Sequence, residues 1–330
     1  MEVLQIIWFA LLGVLLASFL IFGGFDFGVG VLAGFSRNSE MRDKAMKSIA
    51  PFWDGNQVWL VTAGGALFAA FPKAYSAILS NLYIPIILFL CLLIFRAVSI
   101  EFYLSLEGEK WRGFWAKICG LTSLLSLVVF GVALGALFNG SALSDSSESV
   151  ALIRILTPLS LCAGVLTAIF GIAQGAGYLA LKNNTIETFA TARIWVFVLV
   201  VCYLAYMGCF VVYGRINELP RLIPLGILLL SYIPLSLAIK LHRKAMFKTS
   251  FVLTSLFALL CVVGHSLAGF PYIVSPTKAS IGIDIYTASS SIKTLQIMLG
   301  VALVGVPIAL SYFIYAHIVF SGKKPQKKSE

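Results

Sequence analysis

Long apolar runs separated by short polar breaks fill almost the whole chain. They cover about residues 4–34, 55–72, 78–102, 114–138, 157–181, 193–214, 221–241, 250–271 and 293–319. A helix needs about 20 apolar residues to cross a hydrocarbon core, so the pattern predicts about nine transmembrane helices. The second run is the shortest, but it carries no charge from Gly55 to Phe71. The first and third are long enough to tilt or to project past the bilayer. Pro85, Pro158, Pro224, Pro234 and Pro307 fall inside runs, which membrane bundles tolerate when neighbouring groups satisfy the freed backbone. The predicted fold class is all-α, a single polytopic membrane domain over residues 1–330 with no soluble module.

Composition agrees. The 330 residues are 60% hydrophobic and 12% charged, against about 25% charged in an ordinary soluble domain. The first run is expected to be retained, because Met1-Glu2-Val3 offers no basic leader and the run outlasts a cleavable segment of about 7–15 residues. Seventeen of the 24 basic residues fall in alternate connections and the tail, beginning with Arg37, Arg42, Lys44 and Lys47 and ending with Lys323, Lys324, Lys327 and Lys328. Six lie on the other side, and Arg96 stands inside a span. The basic side is expected to be cytoplasmic, which places the N-terminus outside and the C-terminus, with a basic tail over 320–330, in the cytoplasm. The formal charge of +10 then points to anionic lipid headgroups, not to nucleic acid.

Cys91, Cys119, Cys162, Cys202, Cys209 and Cys261 stand singly in apolar stretches, a pattern that implies packing residues and neither a disulfide framework nor a zinc site. Walker A and G-x-S-x-G motifs are absent. Haem requires axial His, Met or Cys ligands, and His242, His265 and His317 are not spaced for a shared site. Each reads as structural or interfacial, with His265, inside the eighth run, the leading exception. Gly64-Gly65 and Gly175-Ala176-Gly177 read as helix-packing positions.

Ionisable groups at membrane depth are costly and so mark function. Here they are Asp26, Asp54, Glu101 and Arg96, all toward the basic side. Asp26 lies between Gly23 and Gly30, at i−3 and i+4 on one helix face, and a glycine face admits a neighbouring helix closely. Its carboxylate is therefore expected in a helix interface, either exchanging protons with bundle water or held in a structural ion pair. Asp54 has two compatible readings. It can cap the second span with Gln57 as capping-box partner, or it can stand at the cytoplasmic mouth of a proton route with Asn56 and Gln57 holding water. Arg96 either snorkels to the interface or pairs with Asp26, Asp54 or Glu101.

Three stretches go further: Gly24-Phe25-Asp26-Phe27-Gly28-Val29-Gly30, Ala50-Pro51-Phe52-Trp53-Asp54-Gly55-Asn56-Gln57-Val58-Trp59-Leu60, and Ala63-Gly64-Gly65-Ala66-Leu67-Phe68-Ala69-Ala70-Phe71-Pro72. Together with Phe95-Arg96-Ala97-Val98-Ser99-Ile100-Glu101-Phe102, they resemble subunit II of cytochrome bd-type quinol oxidases. The specific match covers about the first 105 residues, and hydropathy alone extends it. The resemblance implies two four-helix bundles, about 1–138 and 157–319, the second with a peripheral helix. It implies a heterodimer with a subunit I that holds two b-type haems and haem d, leaving this chain without a cofactor or metal. Small accessory membrane subunits are possible further partners. The complex would oxidise quinol, reduce oxygen to water and build a proton motive force without pumping, in a bacterial inner membrane. Asp26, Trp53, Asp54 and Arg96 match positions assigned to a cytoplasmic proton route or its scaffold, with Gln57 and Glu101 beside them. Gly23 departs from the family, many of whose members carry an acid there. A stand-alone proton-coupled transporter is the competing reading.

Overall fold

The computed structural model describes residues 1–143, 153–183, 186–217, 222–277 and 280–320. The tail lysines Lys323 to Lys328, Arg221, Lys278 and the centre of the connection at about 139–156 lie outside them.

Helices dominate. α1 runs over Glu2–Phe35, with one π-helical turn at Phe19–Gly23. A surface helix α2 (Ser39–Ile49) follows, opened by Asn38, whose side chain accepts from the backbone N–H groups of Glu40 and Met41. α3 is Trp53–Ala70, α4 Pro72–Asn81, α5 Tyr83–Ser105 and α6 Glu109–Phe138. α7 (Pro158–Asn183), α8 (Ile186–Asn217), α9 (Leu222–Leu230), α10 (Tyr232–Arg243) and α11 (Phe247–Gly269) follow. A two-stranded antiparallel hairpin, β1 (Tyr272–Val274) and β2 (Ile283–Asp284), leads through α12 (Ile285–Ala288) to α13 (Ile292–Phe320).

Among the described residues, eight helical spans are long and apolar enough to cross a membrane. The expected second span is present as α3, 18 residues long, but Asp54, Asn56 and Gln57 in its first turns make it more polar than the rest. One expectation needs correction. The third span starts at Tyr83, because residues 78–81 belong to α4, a separate helix begun by Pro72 at its first position. The seventh is found as expected, over Leu222–His242, with a one-residue break at Ser231 between α9 and α10. Pro234 lacks the N–H that would reach back to residue 230, which accounts for the break.

The basic-side half of α1 packs against α6 and α7, α6 also against α5, and α7 against α8 and α11. The approach of α1 to α7 is so close that a Cβ on Gly28 would lie 1.8 Å from the Gly171 carbonyl oxygen. This crossing fixes the depth at which Asp26 sits. On the opposite side, the Trp8 indole donates to the Leu295 carbonyl at 3.1 Å and the Ser290 N–H to the Ala70 carbonyl at 2.8 Å. These bonds tie α13 to α1 and α3. Beyond them α13 is nearly bare: only 6% of its apolar window is buried within the chain.

Candidate functional site

Asp26, on α1, and Arg96, on α5, meet inside the bundle. Arg96 Nη2 donates to Asp26 Oδ1 at 2.8 Å, with relative exposures of 1% and 0% for the two residues. Such burial is tolerable only for a paired and hydrogen-bonded charge, and three contacts fix the guanidinium. Its Nε donates to Ser123 Oγ of α6 at 3.0 Å. Its plane lies over the Phe27 ring, 4.2 Å from the centroid, a cation–π geometry. The third contact is Asp26 itself. The snorkelling reading of Arg96 is therefore overturned in favour of the ion pair with Asp26.

The carboxylate is only half used. Among the described residues, Asp26 Oδ2 has no hydrogen-bond partner within 3.5 Å, and neither does either amide atom of the fully buried Asn56 or of Gln57. The Asn56 carboxamide lies beside the Asp26 carboxylate. Three of these buried polar atoms, Asp26 Oδ2 and the two of Asn56, lie together between α1 and the first turn of α3. Buried polar groups are nearly always satisfied, by protein or by ordered water, so this is a natural water site.

The remaining candidates fall around this pair. Asp54 is exposed, and α3 starts one residue before it, with Phe52 as N-cap and no side-chain cap bond. The capping-box reading of Asp54 and Gln57 is thus incorrect. Asp54 instead opens a stripe at helical spacing with Val58, Val61, Gly65 and Phe68, all exposed. A Cβ added at Gly55, Gly64 or Gly65 would meet nothing within 4 Å among the described residues, so any helix packed on Gly64-Gly65 is not one described in this chain. Trp53 is half-buried against the cluster of Met46, Ile49 and Tyr103. Glu101 is exposed and not paired with Arg96.

The glycine face of Asp26 is half as expected. Gly30 lies against Ser123 and Cys119 of α6, whereas Gly23 makes room for the ring of Phe19 on its own helix, 2.9 Å from where a Cβ would be. Of the α7 glycines, Gly175 meets Gly28 closely and Gly177 reaches only the Phe251 ring. Sequence reasoning missed Ser123 and Phe27, which carry no signal that separates them from ordinary packing residues. The sequence reading sets Asn56 beside Asp54 as a water-holding amide, and the structure sets it beside Asp26 as well.

His265, on α11, uses both ring nitrogens within the chain, against the Cys261 carbonyl at 2.6 Å and the Tyr206 hydroxyl of α8. His242 is buried at the basic end of α10, and the side chain of His317 lies outside the described residues. Among the described residues no three His, Cys, Asp or Glu side chains gather as metal ligands, and the six cysteines are free.

Residues 4–320 match the profile of the family described as cytochrome bd terminal oxidase subunit II. The chain belongs to that family. Cytochrome bd-I ubiquinol oxidase subunit 2 of Escherichia coli strain K12 is 35% identical over 98% of this chain and 95% of its own length. Cytochrome bd ubiquinol oxidase subunit 2 of Bacillus subtilis is 29% identical over 99% of both chains. A chain of the bd oxidase structure from Geobacillus thermodenitrificans shares the fold, with a TM-score of 0.77 at 17% identity over 97% of this chain and all of that one. With eight apolar spans among the described residues, this member of the family is a multi-pass protein of the bacterial inner membrane and a subunit of a terminal oxidase complex that includes a subunit I.

Proposed function

We propose that this subunit II feeds protons from the cytoplasm toward the oxygen-reducing centre of a quinol-oxidising complex whose haems, two of b type and one of d type, reside in subunit I. The observation that carries the reading is the half-satisfied Asp26 carboxylate, paired with Arg96 through one oxygen and left without a hydrogen-bond partner on the other, with the buried Asn56 amide beside it. A carboxylate with one oxygen pinned and one open can take a proton from water and return it without moving. Asp54 stands two residues from Asn56, on the outward side of the same helix turn, where it can receive protons from the cytoplasmic surface. The basic loops around it, with Arg37, Arg42, Lys44 and Lys47, support placing that end of the helices in the cytoplasm.

The stripe of Asp54, Val58, Val61, Gly65 and Phe68 is the proposed seat of subunit I. Beyond Asp54 it is apolar, and its glycine lets another helix come close. Because the complex takes its chemical protons from one side only, oxygen reduction would charge the membrane without a pump. Other expectations belong to the same reading: two internal bundles split near residues 138 and 157, small accessory subunits, and no cofactor on this chain.

The test is oxygen consumption by the purified complex. Asp54→Asn and Asp26→Asn are expected to slow turnover while the haem absorbance stays intact. Full-speed turnover in both variants would reject the route. Isolation of the chain as a stable protein without a haem-bearing partner would favour a proton-coupled transporter instead.

A further inference from the structure

Arg96 divides between two partners an edge that fits one. The Nε–H of a guanidinium and the nearer N–H of Nη2 point the same way, a fork spaced to meet both oxygens of a single carboxylate. In this chain the fork is split. Nη2 donates to Asp26 Oδ1 at 2.8 Å, while Nε donates to Ser123 Oγ at 3.0 Å. The N–H that would complete the fork is already in use, and Asp26 Oδ2 has no hydrogen-bond partner among the described residues.

We infer that Ser123 is a positioning residue that keeps the Asp26–Arg96 pair open, by holding the N–H that would otherwise close on the second carboxylate oxygen. This rests on the proton-route reading and explains why the exchanging oxygen is not lost to the arginine. A hydroxyl suits the task because it accepts a hydrogen bond yet carries no charge. It takes the Nε–H and leaves the whole positive charge to Asp26, which an acid at the same place would share. The position is built from both helices. Ser123 is fully buried on α6, and a Cβ on Gly30 of α1 would lie 2.6 Å from its Oγ. The absence of a side chain at Gly30 is therefore what lets the hydroxyl stand between α1 and α6. Phe27 adds a second restraint. Its ring lies 4.2 Å from the guanidinium carbon, and a face-on contact resists tilting of the plane away from Ser123. The Asn56 amide lies beside the carboxylate, so a water on Oδ2 has a second polar partner.

The experiment measures oxygen consumption by the purified two-subunit complex, with the haem absorbance reporting assembly. Ser123→Ala removes the acceptor with little loss of volume, and Ser123→Cys fills the place with a sulfur that accepts only weakly. Both are expected to lower kcat several-fold at unchanged KM for quinol, because the freed Nε–H closes on Oδ2. Ser123→Thr, which keeps the hydroxyl, is expected to retain the wild-type kcat. In the Asp26→Asn background Ser123→Ala is expected to cost nothing further, since no second carboxylate oxygen remains to be closed. Wild-type kcat in the assembled Ala and Cys variants overturns the positioning role. Equal slowing by Ser123→Thr, or an added loss on top of Asp26→Asn, does the same. Loss of haem from both the Ala and Cys variants makes Ser123 a folding residue and also overturns it. Failure of the route reading shows separately, as full-speed turnover by Asp26→Asn alone.

Discussion

Arg96 reaches Asp26 through a single hydrogen bond of 2.8 Å while the second carboxylate oxygen stays unpartnered. That asymmetry leaves one oxygen open for the exchange proposed above, whereas a bidentate fork would satisfy both. It also makes the two residues unequal under mutation. Arg96→Met leaves a buried carboxylate without its counter-ion and is expected to destabilise the complex by about 3–5 kcal/mol. The double variant Asp26→Leu/Arg96→Met is expected to recover most of that loss, because nothing charged remains to be solvated. Thermal inactivation of the purified complex measures both. A double variant as unstable as Arg96→Met would show that the pair is not the source of the cost.

Gly28 is the position least able to accept a side chain. A Cβ there would sit 1.8 Å from the Gly171 carbonyl oxygen and 2.5 Å from its carbon, so backbone must move. Gly28→Ala is expected to push α1 from α7, carrying Asp26 away from Arg96, and to abolish recovery of haem-bearing complex. The yield of complex per cell, read from its haem absorbance, decides it.

The spans were legible in the sequence because lipid demands about 20 apolar residues for each crossing. A partner for Arg96 was partly legible for the complementary reason, since charge at membrane depth must be paired or snorkel, but the choice of Asp26 over Asp54 and Glu101 came only from the fold. Asp54 was misread. Its spacing to Gln57 fits a capping box, but α3 begins with Trp53, and helix starts are set by packing as much as by local chemistry. Phe27 and Ser123 gave no signal at all. An aromatic ring and a hydroxyl in an apolar helix look the same whether they hold an arginine or fill space. The β1–β2 hairpin was equally hidden, apart from Gly282, whose φ of +77° places it where only glycine is comfortable.

Gly65 offers a different test, of assembly rather than folding. No atom of this chain lies within 4 Å of where its Cβ would be, so Gly65→Leu has no internal clash. The variant is expected to accumulate in the membrane at normal levels yet fail to co-purify with subunit I, because the added side chain blocks close helix approach. A tag on this chain and a haem spectrum of the eluate give the result. Normal co-purification would move the subunit I contact to another face, with the nearly bare α13 next in line.

The cytoplasmic surface provides a pH signature. Asp43, on α2, bonds Lys47 Nζ at 2.6 Å, Arg112 Nη1 of α6 at 3.3 Å and the Tyr103 hydroxyl of α5 at 3.3 Å. Partial burial pushes its pKa up, but Lys47, Arg112 and Tyr103 together outweigh that and leave it below the ordinary value. A carboxylate with a folded pKa below its unfolded value of about 3.9 stabilises the fold at every pH above that value. The contribution fades as pH falls from there through the folded pKa. The inactivation temperature of the wild type is thus expected to exceed that of Asp43→Asn by a constant margin from pH 8 to about pH 5, with the margin closing below about pH 4. A margin that widened on acidification would reverse the sign and show that Asp43 is destabilised by its surroundings, not held by the three groups that face it.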